Sequence, residues 1–219
     1  MTNAIADLPP TEFKSPAASV SPAAIALWLA IQLTAIVLIV TRTKLWIHGG
    51  DDSHAIELML VMQIGGAALL LPALLPNWRT TICVALAAIP FVQIASLIGA
   101  VDGKHLTFGV IALTLWLIAL RAALSLARSS LVSATIHVLA VCISIGSVIL
   151  FYLRAEFSDA GNSIDAAWFG PISAAHTLVR GQSSIDEVRE AWTQLALMAI
   201  LMCSIALVKN LLARVARDR

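Results

Sequence analysis

The sequence predicts an all-α, polytopic integral membrane protein with six transmembrane helices and a short-helix segment between helices 5 and 6. Hydrophobic residues form 59% and charged residues 12% of the 219-residue chain, and the mean hydropathy is +0.90. A soluble domain has about 45–50% apolar and about 25% charged residues, so this composition argues against a soluble fold. The chain also contains apolar runs of about 20 residues, the length that crosses a bilayer as a helix. The predicted spans are 22–41, 56–76, 82–101, 106–125, 131–153 and 191–213.

The segments outside the spans predict the orientation. Residues 1–21 have no apolar signal core and contain three prolines, so we expect a disordered cytoplasmic tail leading to Pro22, a suitable first residue for a helix. Lys and Arg accumulate on the cytoplasmic side of membrane proteins. With the N-terminus inside, inner segments hold eight of these cations, including the basic tail 214–219, and outer segments hold six. The expectation is a bacterial inner membrane protein with both termini cytoplasmic and residues 154–190 outside.

The polar side chains deepest in the apolar runs are candidates for interior positions. A polar group in hydrocarbon needs a partner, so we expect these side chains to face the interior of the helix bundle. Two roles stay open for them, hydrogen bonds between helices and contact with a substrate. The four candidates are Gln32, Gln63, Gln93 and His137.

The long connection 154–190 is too apolar for a plain linker. Its DAGN turn precedes a first short helix, and Gly170 followed by Pro171 predicts the start of a second one. Ser184 with Glu187 three residues later predicts a capping box that opens the last helix. Short helices at membrane depth are typical of a re-entrant or interfacial segment, and a surface loop over the helix ends is the alternative. The candidate residues of this segment are Trp168, Gly170, Pro171 and His176.

The stretch GPISAAHTLVRG, residues 170–181, precedes the final predicted span. With six spans and cytoplasmic termini, this layout resembles the membrane subunit of an ABC-2-type exporter. The resemblance implies a permease that works with a separate cytoplasmic ATPase and forms its path as a homo- or hetero-oligomer. The chain has no GxxxxGK[ST] phosphate loop, so it is not itself the ATPase. The alternative is a non-catalytic accessory subunit of a larger membrane complex.

The sequence predicts neither an enzyme nor a cofactor site. It contains no GxSG and no HExxH motif, and of its five histidines only His137 lies deep in a span, which argues against paired haem ligands. No Cys/His spacing indicates a metal, and we interpret the Asp51–Asp52 turn with its flanking histidines as a solvated loop. No basic patch indicates nucleic acid. The expected partners are the lipid bilayer and other protein subunits.

Overall fold

The computed structural model describes residues 21–45, 54–99, 103–127, 129–157, 170–179 and 184–216. These residues are 92% helical and contain no strand, which confirms the all-α prediction. The helices are α1 (Pro22–Leu45), α2 (His54–Leu69), α3 (Leu71–Leu74), α4 (Trp78–Ile98), α5 (Gly103–Ser125), α6 (Ser130–Phe157), α7 (Pro171–Val179) and α8 (Ile185–Val215). Residues 1–20, Trp168 and the first predicted short helix of the long connection lie outside the described residues.

Four helices, α1, α4, α5 and α8, are long and apolar enough to cross a membrane, as expected of an integral membrane protein. In the other two predicted spans, the apolar stretches among the described side chains are shorter, Ala55–Leu69 of α2 and Ser130–Gly146 of α6, so the count of six spans stays a prediction. Among these four helices, α5 is the most enclosed, with 44% of its apolar stretch buried, and α8 the least, with 17%. Helix α5 also contacts α2, α4, α6, α7 and α8, which places it at the centre of the fold.

The second predicted span, 56–76, is divided in the structure. Helix α2 ends at Leu69, and the single turn α3 follows with Pro72 in its first turn. Proline is tolerated there because the first amides of a helix have no partner within the helix, whereas in the middle of a helix it removes a hydrogen bond and kinks or breaks the helix. Asn77 then caps α4 in a capping box with Thr80. Helix α4 continues through Pro90.

Two contacts show that α5 and α8 run in the same direction. The rings of Phe108 and Trp192 meet edge to face with their centroids 5.6 Å apart, and Lys209 Nζ donates a 2.6 Å hydrogen bond to the Ser125 carbonyl. Seventeen residues separate these contacts on each helix, or about 25 Å at 1.5 Å per residue. Since the short turn after α5 makes α6 antiparallel to it, α6 ends and α8 begins at the same end of the bundle.

The described charges distinguish the two ends of the bundle. We call the end where α2, α5 and α8 begin the acidic end, because the four carboxylates whose side chains the structure describes lie there: Glu57, Asp186, Glu187 and Glu190. Lys104 and Arg189 share that end. The basic end is where α4 begins and α5 and α8 finish. Its described charges are all cations: Arg79, Arg121, Lys209 and Arg214.

Candidate functional site

The short helix α7 lies inside the bundle, against α2, α5, α6 and α8. It begins at Pro171, as predicted, where a missing amide hydrogen costs no helical bond. Ala174 and Ala175 are both buried and let neighbouring helices approach closely. Seven of its nine residues are buried. At about 1.5 Å per residue, α7 is roughly 13 Å long, less than half the thickness of a bilayer core.

A glycine of α5 brings α2, α5 and α7 together. A Cβ atom built on Gly109 would lie 2.9 Å from Leu60 Cδ1 of α2 and 3.5 Å from Val179 Cγ2 of α7. The absence of a side chain at this position therefore lets the three helices meet. Gly109 lies six residues after the start of α5, or about 9 Å along its axis. The last turn of α7 is thus about two helical turns in from the acidic end.

An ion pair joins α7 to α2 close to this contact. His176 Nδ1 lies 2.6 Å from Glu57 Oε1, and both side chains are about one quarter exposed, at 28% and 26%. Glu57 stands in the first turn of α2, and the imidazole carries a charge only when it is protonated. Three residues further along each helix, Leu60 and Val179 both reach Gly109. Helices α2 and α7 therefore run in the same direction here, and α7 goes deeper towards its C-terminal end.

Two buried amides form a separate polar feature between α1, α2 and α4. Gln32 is fully buried, and neither of its amide atoms has a hydrogen-bond partner among the described residues. Gln63 is equally buried and donates a 3.2 Å hydrogen bond from Nε2 to the Ala88 carbonyl of α4, while its Oε1 has no partner within the described structure. Both amides lie one turn from the place where Gly66 packs against Trp28. Gln63 thus links two helices.

The other two interior candidates lie elsewhere. Gln93 is exposed on α4, so the prediction that it faces the bundle interior is wrong. The buried face of α4 follows the helical repeat and includes Val84, Ala88, Val92 and Ala95. Gln93 lies off that face. His137 is half-buried on α6, with Nε2 2.9 Å from the carbonyl of Leu69, the last residue of α2. The imidazole satisfies a carbonyl at the break between α2 and α3, so its observed contact is a bond between helices.

The structure brings together only part of the predicted site. Gly170, Pro171 and His176 belong to the start and the last turn of α7, whereas Gln32, Gln63 and His137 contact other helices. Sequence reasoning assigned no role to Glu57, the ion-pair partner of His176. A carboxylate in the first turn of an apolar run, which must be paired or hydrated at that depth, is the signal that could have found it.

Comparison with known proteins gave no match to a family model, to a curated protein or to a solved structure. Among the described side chains, no group of three or more His, Cys, Asp or Glu residues could hold a metal ion. The candidate functional site is therefore defined by its geometry alone, as the buried helix α7 with its Glu57–His176 contact to α2.

Proposed function

We propose that the chain is the membrane-spanning permease subunit of an ABC-type exporter that works with a separate cytoplasmic ATPase. The observation that carries the proposal is α7, a nine-residue helix buried among four longer helices and joined to α2 by the Glu57–His176 ion pair. Backbone that stops being helical at membrane depth is tolerated where protein or water satisfies it. Transporters use such interrupted helices to build substrate sites. Helix α7, a short helix buried inside the bundle, therefore supports a role in transport.

The proposed topology has six spans, with α2 and α6 as the two beyond the four long apolar helices. Since α6 ends and α8 begins at the acidic end, the segment between them enters and leaves at that end, which supports a re-entrant α7. The cations of the basic end support a cytoplasmic position for that end, because Lys and Arg accumulate inside. Both termini are then cytoplasmic in a bacterial inner membrane, and the ATPase docks at the basic end.

The Glu57–His176 pair has a defined part in this proposal. It fastens α7 to the start of α2, at the end of the bundle that faces away from the ATPase. Export requires this end to open while the other is closed, so α7 must be held in one state and released in another. The imidazole of His176 is charged only when it is protonated, and both side chains are partly exposed. Such a contact is suited to form in one state and break in another.

The second candidate is a non-catalytic accessory subunit of a larger membrane complex, acting through partner subunits alone. Helix α8 favours it. Only 17% of the apolar stretch of this 31-residue helix is buried, so a long apolar face is available for another subunit or for lipid. The two candidates differ in the partner that they require.

Co-purification distinguishes them. The tagged full chain is isolated from its native membranes in mild detergent, and the bound subunits are identified and assayed for ATP hydrolysis. The exporter proposal expects a phosphate-loop ATPase in fixed stoichiometry. A His176→Leu variant should keep that ATPase bound and change its rate, whereas the exposed Arg189→Leu control should leave the rate as it is. A fixed assembly that contains no ATPase would refute the exporter and favour the accessory subunit.

The orientation is tested by cysteine labelling. In a chain whose native cysteines Cys83, Cys142 and Cys203 are replaced by serine, a single cysteine is placed at Asp186 or at Arg214. Both positions are exposed, and they lie at opposite ends of the bundle. A membrane-impermeant maleimide should label position 186 in intact cells and position 214 only after permeabilisation. The reverse pattern would overturn the proposed topology.

A further inference from the structure

An apolar groove runs along the outside of the bundle between α4 and α5. Its volume is about 190 Å³, and its lining includes Trp78, Ile82, Leu86 and Ile89 of α4 and Thr114 and Ile118 of α5. From Trp78 to Ile89 the groove follows eleven residues of helix, or about 16 Å. It begins at the basic end, since α4 starts there, and extends towards the middle of the bundle. Its shape and apolar lining suit an acyl chain.

Arg121 stands at the mouth of this groove, one turn beyond Ile118 on α5. Its Cζ lies 6.0 Å from the ring centroid of Trp78, which also lines the groove. The guanidinium donates one long hydrogen bond, 3.4 Å from Nη1 to the Leu75 carbonyl, and its buried Nε has no partner among the described residues. An arginine carries five N–H donors, so most of its capacity is unused. A partly buried charge among apolar helices needs a partner.

No described carboxylate can supply that partner. The four acidic side chains that the structure describes all lie at the acidic end, roughly 25 Å away by the helical rise between the α5–α8 contacts. The other described charges at the basic end are also cations: Arg79, Lys209 and Arg214. The surplus positive charge at the mouth of the groove is complementary to an external anion.

We propose that this groove binds one anionic phospholipid. The phosphate pairs with the guanidinium of Arg121, and an acyl chain lies along α4 and α5. Trp78, the first residue of α4, is 43% exposed, and tryptophan is enriched at the headgroup level of membranes, so a groove that starts at Trp78 is placed to run inward from the headgroups. Arginine binds phosphate through two parallel N–H bonds, which Lys cannot reproduce. The site requires neither α7 nor an ATPase, so it is independent of the proposed transport function.

The test uses the purified full chain in detergent with an equimolar mixture of phosphatidylglycerol and phosphatidylcholine that carry identical acyl chains. Native mass spectrometry should find one phosphatidylglycerol retained in preference to phosphatidylcholine. Arg121→Gln should lower that preference about tenfold, the effect of losing one charge-assisted contact. Arg214→Gln removes the same charge from an exposed position at the same end, away from the groove, and should leave the preference unchanged.

A second pair of variants tests the groove itself. Ala85 lines it, whereas Ala87, two residues further along α4, is exposed and does not. Ala85→Phe should abolish retention of the lipid, and Ala87→Phe should preserve it, with both proteins eluting as the unmodified chain does. Equal retention of the two lipids by the unmodified chain would overturn the proposal. So would an undiminished phosphatidylglycerol preference in Arg121→Gln, or a lipid retained by Ala85→Phe.

Discussion

The acidic and basic ends of the bundle use their charged side chains in different ways. At the acidic end, carboxylates contact other parts of the chain: Glu57 pairs with His176, and Glu187 accepts a hydrogen bond from the amide of Ser184 in its capping box. At the basic end, cations contact backbone carbonyls where helices finish. Lys209 binds the carbonyl of Ser125, and Arg121 binds that of Leu75. The charges of the basic end have no described carboxylate as a partner.

This difference separates two structural roles. A carboxylate and an imidazole from two helices hold those helices together, so the acidic end fixes the position of α7. A cation at the last carbonyls of a helix complements the negative end of the helix dipole and keeps most of its donors free. The basic end is therefore the one whose charges remain available to lipid phosphates or to another subunit. The internal contacts of the acidic end should therefore contribute more to stability than the contacts of the basic end.

The largest expected effect is at the glycine where α2, α5 and α7 meet. Gly109→Leu should lower the free energy of unfolding by about 2–3 kcal/mol, because the new side chain must displace Leu60 and Val179 from a packed contact. Unfolding by SDS in mixed micelles, followed by tryptophan fluorescence, measures the change. Gly103→Leu is the matched control, since that exposed glycine of the same helix has nothing within 4 Å of its Cβ position. A similar loss in both variants would argue that α7 is not packed against Gly109.

The Glu57–His176 pair should give the next largest effect. In a double-mutant cycle with Glu57→Leu and His176→Leu, we expect a coupling free energy of about 2 kcal/mol, because the contact is charge-assisted and only about one quarter exposed. The Asp186–Arg189 pair of the same end, with side chains 82% and 76% exposed, should give about 0.5 kcal/mol or less in an equivalent cycle with alanine. Equal coupling in the two cycles would mean that His176 does not hold α7 against α2.

Much of this fold could be predicted because its signals are local. Apolar run length predicts where helices lie, Pro171 predicts the first residue of α7, and the Ser184–Glu187 capping box is present as expected. The division at Leu70 could be anticipated only as a break near Pro72, since the exact residue depends on how the two pieces pack. The length of an apolar run, a proline and a capping box each belong to one continuous stretch of chain, so the sequence alone is enough to predict where the helices begin and end.

The site was harder to predict because it depends on which face each helix turns inward. Helix α4 is apolar all round, so periodicity does not distinguish the exposed side of Gln93 from the buried side of Val92. Glu57 and His176 are 119 residues apart, and nothing local to either residue predicts their contact. Long-range pairs of this kind follow from the packing of several helices, which no single run of sequence determines.

The smallest effect is expected at the basic end. Lys209→Gln should lower the free energy of unfolding by about 1 kcal/mol, because glutamine keeps a donor but not the charge that strengthens the bond to Ser125. Arg214→Gln, on the same helix but exposed, should change it by less than about 0.5 kcal/mol. The same SDS titration measures both. A Lys209 effect larger than the Glu57–His176 coupling would reverse the comparison, since the basic end would then contribute more than the acidic end to holding the bundle together.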